Sequence, residues 1–377
     1  MKSDKIKFLA YYLPQYHQIP ENDEWWGEGF TEWTNVKKAK PLFKGHKQPI
    51  FPGELGYYDL LKTEGIQEKQ ANLAKEYGID GFIYYSYWFG DGKMLLEKPA
   101  DKMLANKKVD IPFCFCWANE TWKGIWHGLD NPDVLVEQIY PGVHDYINYF
   151  NYLLPFFKDA RYIKLENKPM FHIYRIDDVP DADKFLETFN KLAVENGFNG
   201  IYFISTLNYN SQKALSSDLV YGMVGIDTFR HLRYMPSYYF KSGTRLNTIE
   251  YYVKRITGQL QIESKSDQPN VINYKKGLRK LRVEIPHKKF IPCVIPNWDN
   301  SPRSNNKSLI FKNVSPNAFK KYLIKTIDEF SKHPANPPFI VIKSWNEWAE
   351  GNYIEPDKRY GRKWLEVFKV VRKHFNI

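Results

Sequence analysis

"PPFIVIKSWNEWAEGNYIEP" (residues 337–356) falls into two halves of opposite character. The run "PPFIVIK" is short, apolar and β-branched, without the polar alternation of a half-exposed strand, so it reads as a strand buried on both faces. The half that follows packs two tryptophans and three glutamates into thirteen positions. A buried strand that ends in an acidic, aromatic loop is the unit from which the rest of the chain is read.

Runs of the same kind recur at 6–14, 81–89, 111–119, 169–175, 201–207, 223–229, 290–296 and 339–345. Amphipathic segments lie between them. Residues 65–78 end at Gly78, and 181–197 start on an Asp cap and end at Gly197. Residues 315–334 have Ser315 as N-cap and Pro316 at the first helical position. Near-continuous apolar strands fit a parallel sheet covered on both faces. Eight of them with intervening helices predict a (β/α)8 TIM barrel, an α/β fold. A doubly wound open sheet is the alternative, but no GxGxxG follows the first strand. The expected organisation is one catalytic domain over 1–377. Its long loops, at about 15–64 after the first strand and 230–289 after the sixth, should wall a cleft at the barrel's C-terminal face.

Composition narrows the function. Aromatic residues make up 17% of the 377, and Tyr and Trp carry polar tips that seek partners or a wet cleft. Lys and Arg total 54 against 43 Asp and Glu, a net charge of +11. The surplus gathers at 273–282 and 362–375, as solvated helix faces or as a surface for an anionic partner. Peripheral membrane association through these basic segments is one such expectation; no nucleic-acid motif accompanies them. Cys114, Cys116 and Cys293 sit in strand-like runs, which suggests reduced core thiols. The N-terminus lacks a signal peptide and no run approaches the ~18–20 apolar residues of a membrane span, so a cytoplasmic, soluble chain is expected. Metal-ligand spacings, a P-loop and GxSxG are absent from the sequence. No cofactor and no metal are expected.

In this fold the residues just past each strand face the active site. Those ends carry Tyr11, Tyr12, Glu32, Trp33, Tyr87, Trp88, Trp117, Asn119, Glu120, Trp122, His172, Tyr174, Arg175, Trp298, Arg303 and Asn346. Aromatic faces with amides and carboxylates suit a sugar, whose C–H faces stack while its hydroxyls take directional hydrogen bonds. Glu347 and Glu350 add the acid–base pair that glycosidic chemistry needs. A helical turn after the strand puts i and i+3 on one side. Like charges there push one pKa up, and Trp345 and Trp348 would add desolvation. The competing reading pairs Glu347 with a basic residue and leaves Glu350 to cap a helix.

"AYYLPQYHQIPENDEWWGEGFTEWTNV" (10–36), "FCWANETW" (115–122) and "SWNEWAEGNYIEP" (344–356) together resemble WbsX-type proteins of the glycoside hydrolase family 99-like group. The resemblance runs over essentially the full length. It implies a (β/α)8 barrel, a setting in O-antigen or capsule assembly, and kinship with retaining endo-α-mannosidases. It implies Glu350 as the acid/base at the leaving group and Glu347 as a base on the sugar's own 2-hydroxyl. Glu120 would bind sugar hydroxyls. Where the family pattern has His between Trp and the second Glu, this chain has Ala349, a departure that bears on mannosidase specificity. The expectation is an enzyme that cleaves or transfers a glycosyl unit, on an oligosaccharide or lipid-linked glycan. The alternatives are a glycosyltransferase with an activated donor, which the lack of a nucleotide-binding fold disfavours, and a non-catalytic glycan-binding protein.

Overall fold

The computed structural model describes residues 6–124, 133–207, 212–225, 269–281 and 283–377. Eight strands run parallel: β1 (Lys7–Tyr12), β2 (Gly81–Gly90), β3 (Phe113–Trp117), β4 (Lys168–Ile173), β5 (Tyr202–Thr206), β6 (Val220–Gly225), β7 (Phe290–Val294) and β8 (Phe339–Ile342). Each pairs with its neighbours in chain order, and β1 pairs with both β2 and β8, so the sheet closes on itself. One turn of the ring can be followed through Tyr11↔Ile83, Tyr85↔Cys116, Cys116↔His172, His172↔Ile204, Thr206↔Val224, Val224↔Ile291, Cys293↔Val341 and back through Leu9↔Val341. This is the (β/α)8 barrel that the apolar runs predict. The sixth strand starts three residues before its predicted start, and 226–229 lie outside the described residues.

Helices cover the outside. Phe8 meets Phe368 of the helix Lys363–Phe375, and Phe115 meets Phe156 of the helix Val143–Lys158. Phe171 meets Phe189 of the helix Ala182–Glu195. Ser315 caps the helix Pro316–Phe330 through the Ala318 N–H, as its sequence position implies. Asp181 is a correction. It holds the N-cap position of its helix without capping it, because its carboxylate accepts the Tyr146 hydroxyl instead.

Inside the barrel, Tyr11, Cys114, Cys116, His172 and Cys293 form a dry floor. The three thiols are free and buried. His172 bridges the Tyr11 hydroxyl at Nδ1 (3.3 Å) and Thr206 Oγ1 at Nε2 (3.1 Å). Burial drives its pKa down to about 3, so it is a neutral packing group. The insertion after β1 folds as two short helices, Pro20–Trp26 and Glu32–Lys38, and the second packs on the turn Trp348–Glu350 beyond β8. Most of the second expected insertion, 230–268, lies outside the described residues. Among the described residues no helix is long and apolar enough to cross a membrane.

Candidate active site

β8 ends at Ile342 and hands the chain to Lys343, whose buried ammonium is the first charge of the site. The backbone then runs through Asn346 and Glu347 into a single 3-10 turn, Trp348–Glu350. Gly351 follows at φ +54°, and an added Cβ there would press on Asp299 backbone atoms at 2.8 Å. The close approach lets the Asp299 N–H donate to the Glu350 carbonyl at 2.7 Å, which fixes the turn.

Three buried asparagines tie this loop down. Asn346 accepts from the Leu13 N–H (2.8 Å) and donates to the Leu13 carbonyl (3.0 Å). Asn297 accepts from the Tyr353 N–H at 3.0 Å, and Asn352 donates to the Asn297 carbonyl at 2.8 Å. Loop backbone taken out of water needs such partners. Glu355 is anchored in the same wall by Trp348 Nε1 (2.7 Å), Gln70 Nε2 (2.7 Å) and the Tyr58 hydroxyl (3.0 Å). Burial pushes its carboxyl up to about 7 against those donors.

The chemistry centres on five charged side chains. Lys343 Nζ stands 3.2 Å from Glu347 Oε2 and 3.8 Å from Glu350 Oε2. Arg303 donates through Nη1 to Glu350 Oε1 and through Nη2 to Glu32 Oε1, each at 2.8 Å. Tyr85, Tyr87 and Tyr174 face Glu347 from β2 and the end of β4. The Lys343 ammonium lies 5.5 Å from the Trp298 ring centroid.

The two glutamates sharing this pit are pushed apart. Burial pulls Glu347 up, but the Lys343 ammonium, the Glu350 carboxyl and Arg303 outweigh it and hold it below the usual carboxylate range. Burial and the Glu347 charge lift Glu350 well above that range, with Lys343 and Arg303 only partly opposing. One carboxyl is therefore an anion and its neighbour a proton carrier near neutral pH. Glu347 does pair with a basic residue, as the competing reading had it. The same ammonium that pairs it also reaches Glu350.

Other expected site residues lie elsewhere, and side-chain alternation along each strand explains several of them. Tyr12, Trp88 and Trp117 point outward into the helix layer. Tyr12 donates to Gln70, Trp88 to Asp145 and Trp117 to the Trp88 carbonyl, and Trp117 packs on Phe185. Trp33 backs the loop, donating to the Tyr58 carbonyl and packing on Trp348. Asn346 and Asn119 serve backbone; the latter holds Arg175 N–H and C=O. Tyr11 and His172 belong to the floor. Glu32 is fully buried behind Arg303. Glu120 and Arg175 form an ion pair at the mouth, Trp122 packs edge-on to Tyr87 there, and 125–132 beyond them lie outside the described residues.

Lys343 and Tyr85 are absent from the expected strand-end residues, whereas Tyr87 and Arg303 are among them. Strand alternation was the missed signal: if Trp88 faces the helices, Tyr87 and Tyr85 face the centre. Among the described residues, no group of three or more His, Cys, Asp or Glu is arranged to hold a metal ion.

A family model described as glycosyltransferase WbsX matches residues 8–368. Two curated relatives named uncharacterized protein WxcX, from two strains of Xanthomonas campestris pv. campestris, are 32% identical over 361 residues, 95% of this chain and 48% of theirs. The chain thus spans about half the length of the curated relatives it matches. A solved GH99 endo-α-mannosidase from Bacteroides thetaiotaomicron aligns with a TM-score of 0.54 at 15% identity, covering 98% of this chain and 97% of that one. A glycoside hydrolase-like protein aligns with a TM-score of 0.54 at 14% identity, covering 100% and 96%. At such identities the likeness to solved structures is one of fold.

Proposed function

The chain belongs to the WbsX glycosyltransferase family, and on that premise we propose that it is a carbohydrate-active enzyme which breaks and remakes a glycosidic bond with Glu350 as proton donor and Glu347 as anionic partner. The observation that carries this reading is the geometry of two glutamates three residues apart in one buried pit, both within reach of the Lys343 ammonium and one of them held by Arg303; their opposed shifts follow from it. A glycan-binding module has no use for that separation.

In the first step Glu350 gives its proton to the glycosidic oxygen as the bond to the anomeric carbon breaks. Glu347 meets the developing positive charge. An ammonium 3.2 Å away keeps Glu347 ionised and makes it a weak base. Attack on the anomeric carbon then suits it better than removal of the sugar's 2-hydroxyl proton, the role its family resemblance implies. In the second step the Glu350 carboxylate takes a proton from an incoming hydroxyl, which displaces Glu347 and leaves the configuration retained. Tyr85, Tyr87, Tyr174 and Trp298 supply the aromatic walls, and Glu120 with Arg175 lines the entrance. The family's description as a glycosyltransferase supports a second reading, in which the incoming hydroxyl belongs to a sugar; the setting we propose for it is assembly of a surface polysaccharide such as O-antigen or capsule.

The test is product analysis by mass spectrometry. The protein is incubated with α-linked oligosaccharides and, in parallel, with nucleotide-sugar donors plus acceptors, against Glu350→Gln and Glu347→Gln. Shortened or rearranged oligosaccharides are expected, falling by ~10²–10⁴-fold in Glu350→Gln. Extension from nucleotide sugars alone would replace this mechanism with the transferase alternative, and equal activity in wild type and both variants would end it. A substrate lacking the 2-hydroxyl separates the routes, since only direct attack by Glu347 still proceeds.

A further inference from the structure

Arg303 joins two carboxylates that come from opposite ends of the chain, Glu32 and Glu350. The Glu32 side chain is 0% exposed, so no sugar hydroxyl touches it while the wall is closed. Its Oε1 takes one Arg303 N–H, and its Oε2 has no hydrogen-bond partner among the described residues. Burial pushes this carboxyl up and Arg303 pulls it back. A half-satisfied buried acid costs stability, and this one is shut off from solvent. What it contacts is the guanidinium that also holds the proton donor.

The groups around Glu350 come from several elements. Glu347 and Lys343 approach from the end of β8, Arg303 from the short helix Ser301–Ser304 and Glu32 from the insertion after β1, while Tyr87 of β2 adjoins Glu347 and Arg303. Asp299 adjoins the Glu350 main chain, but its Oδ2 is taken by His46 and Gln48, each at 2.8 Å. With Arg303 on Glu350 alone, the whole positive charge would favour the Glu350 carboxylate and strip its proton. Dividing the guanidinium between two acids weakens that pull, and the Glu32 anion adds repulsion of its own.

We propose that Glu32, acting through the shared Arg303 guanidinium, is a positioning residue that keeps the proton on Glu350. This rests on the reading of Glu350 as proton donor, so its test reads protonation without any sugar.

Full-length protein carrying [13C]glutamate is titrated by NMR, with the Glu350 carboxyl resonance assigned by its loss in Glu350→Gln. In Glu32→Gln the Glu350 midpoint is expected to fall by about one pH unit, a tenfold change in the protonated fraction. In Arg303→Gln it is expected to rise. The double variant should depart from the sum of the two single shifts, since the three groups share one network. Opposite movements are something a merely structural role does not give. An unchanged midpoint in Glu32→Gln, or a fall in Arg303→Gln, overturns the proposal; should Glu32→Gln fail to fold, Arg303→Gln decides alone. Titrations that move as expected in a protein that turns over no glycan would count against the enzymatic reading and leave this coupling in place.

Discussion

Adjacent residues at the tops of the strands belong to two different worlds. Tyr11, Tyr87 and Cys116 face the barrel axis, while Tyr12, Trp88 and Trp117, each one position later, face the helices. The inner face gathers charge: Lys343 pairs with Glu347 and reaches Glu350, which Arg303 holds in turn. The outer face spends the same aromatic residue types on packing, with each polar tip satisfied by one partner. Aromatic density therefore does not mark the cleft; the residue's side of the strand does.

The largest effect that would break this contrast is a pH response from the wrong face. In the proposed mechanism Glu350 works protonated, and its pKa is raised, so turnover should persist above the ordinary carboxylate range and disappear as pH rises through that raised value. Glu347 works ionised and its pKa is lowered, so the acidic limb should lie below the ordinary range. A profile of kcat/KM against pH with both limbs inside the usual carboxylate range would remove the inner face's distinction.

Next in size is Trp117→Ala. It empties an outward site packed by Phe185, Tyr149 and Tyr140, and should cost ~3–5 kcal/mol in urea unfolding. Glycan affinity of the folded fraction should not change. Weaker binding at unchanged stability would put Trp117 back in the cleft.

A smaller loss is expected from Trp348→Phe, which keeps the stack on Tyr353 but leaves Glu355 Oε2 without its closest donor. Chemical denaturation should show ~1–3 kcal/mol. Smallest is Ser315→Ala, which removes a helix cap far from the pit, at about 1 kcal/mol with no change in either pH limb.

The barrel was legible because parallel strands buried on both faces leave unbroken apolar runs, and nothing else in the chain imitates them. The acid pair was legible because its residues are close in sequence. Lys343 was open to view as a cation at the tip of an apolar strand, four residues before Glu347, yet it was passed over. Arg303 was visible too, but its role depends on Glu32, 271 residues away. Asn346, Asn119 and Trp33 misled because backbone in a buried loop recruits the same amides and indoles that a sugar does. Only the fold separates the two uses. Glu355 escaped notice because Glu before Pro reads as loop, whereas three donors hold it inside the wall.

The order of the strands has a consequence in time. β1 closes the ring by pairing with β8, Leu9 opposite Val341, and the glutamates follow directly behind that last strand. Such distant pairing is slow to form. On the ribosome, seven strands and the Glu32 arm emerge before any part of the acid pair exists. Barrel closure and completion of the proposed site are then one event.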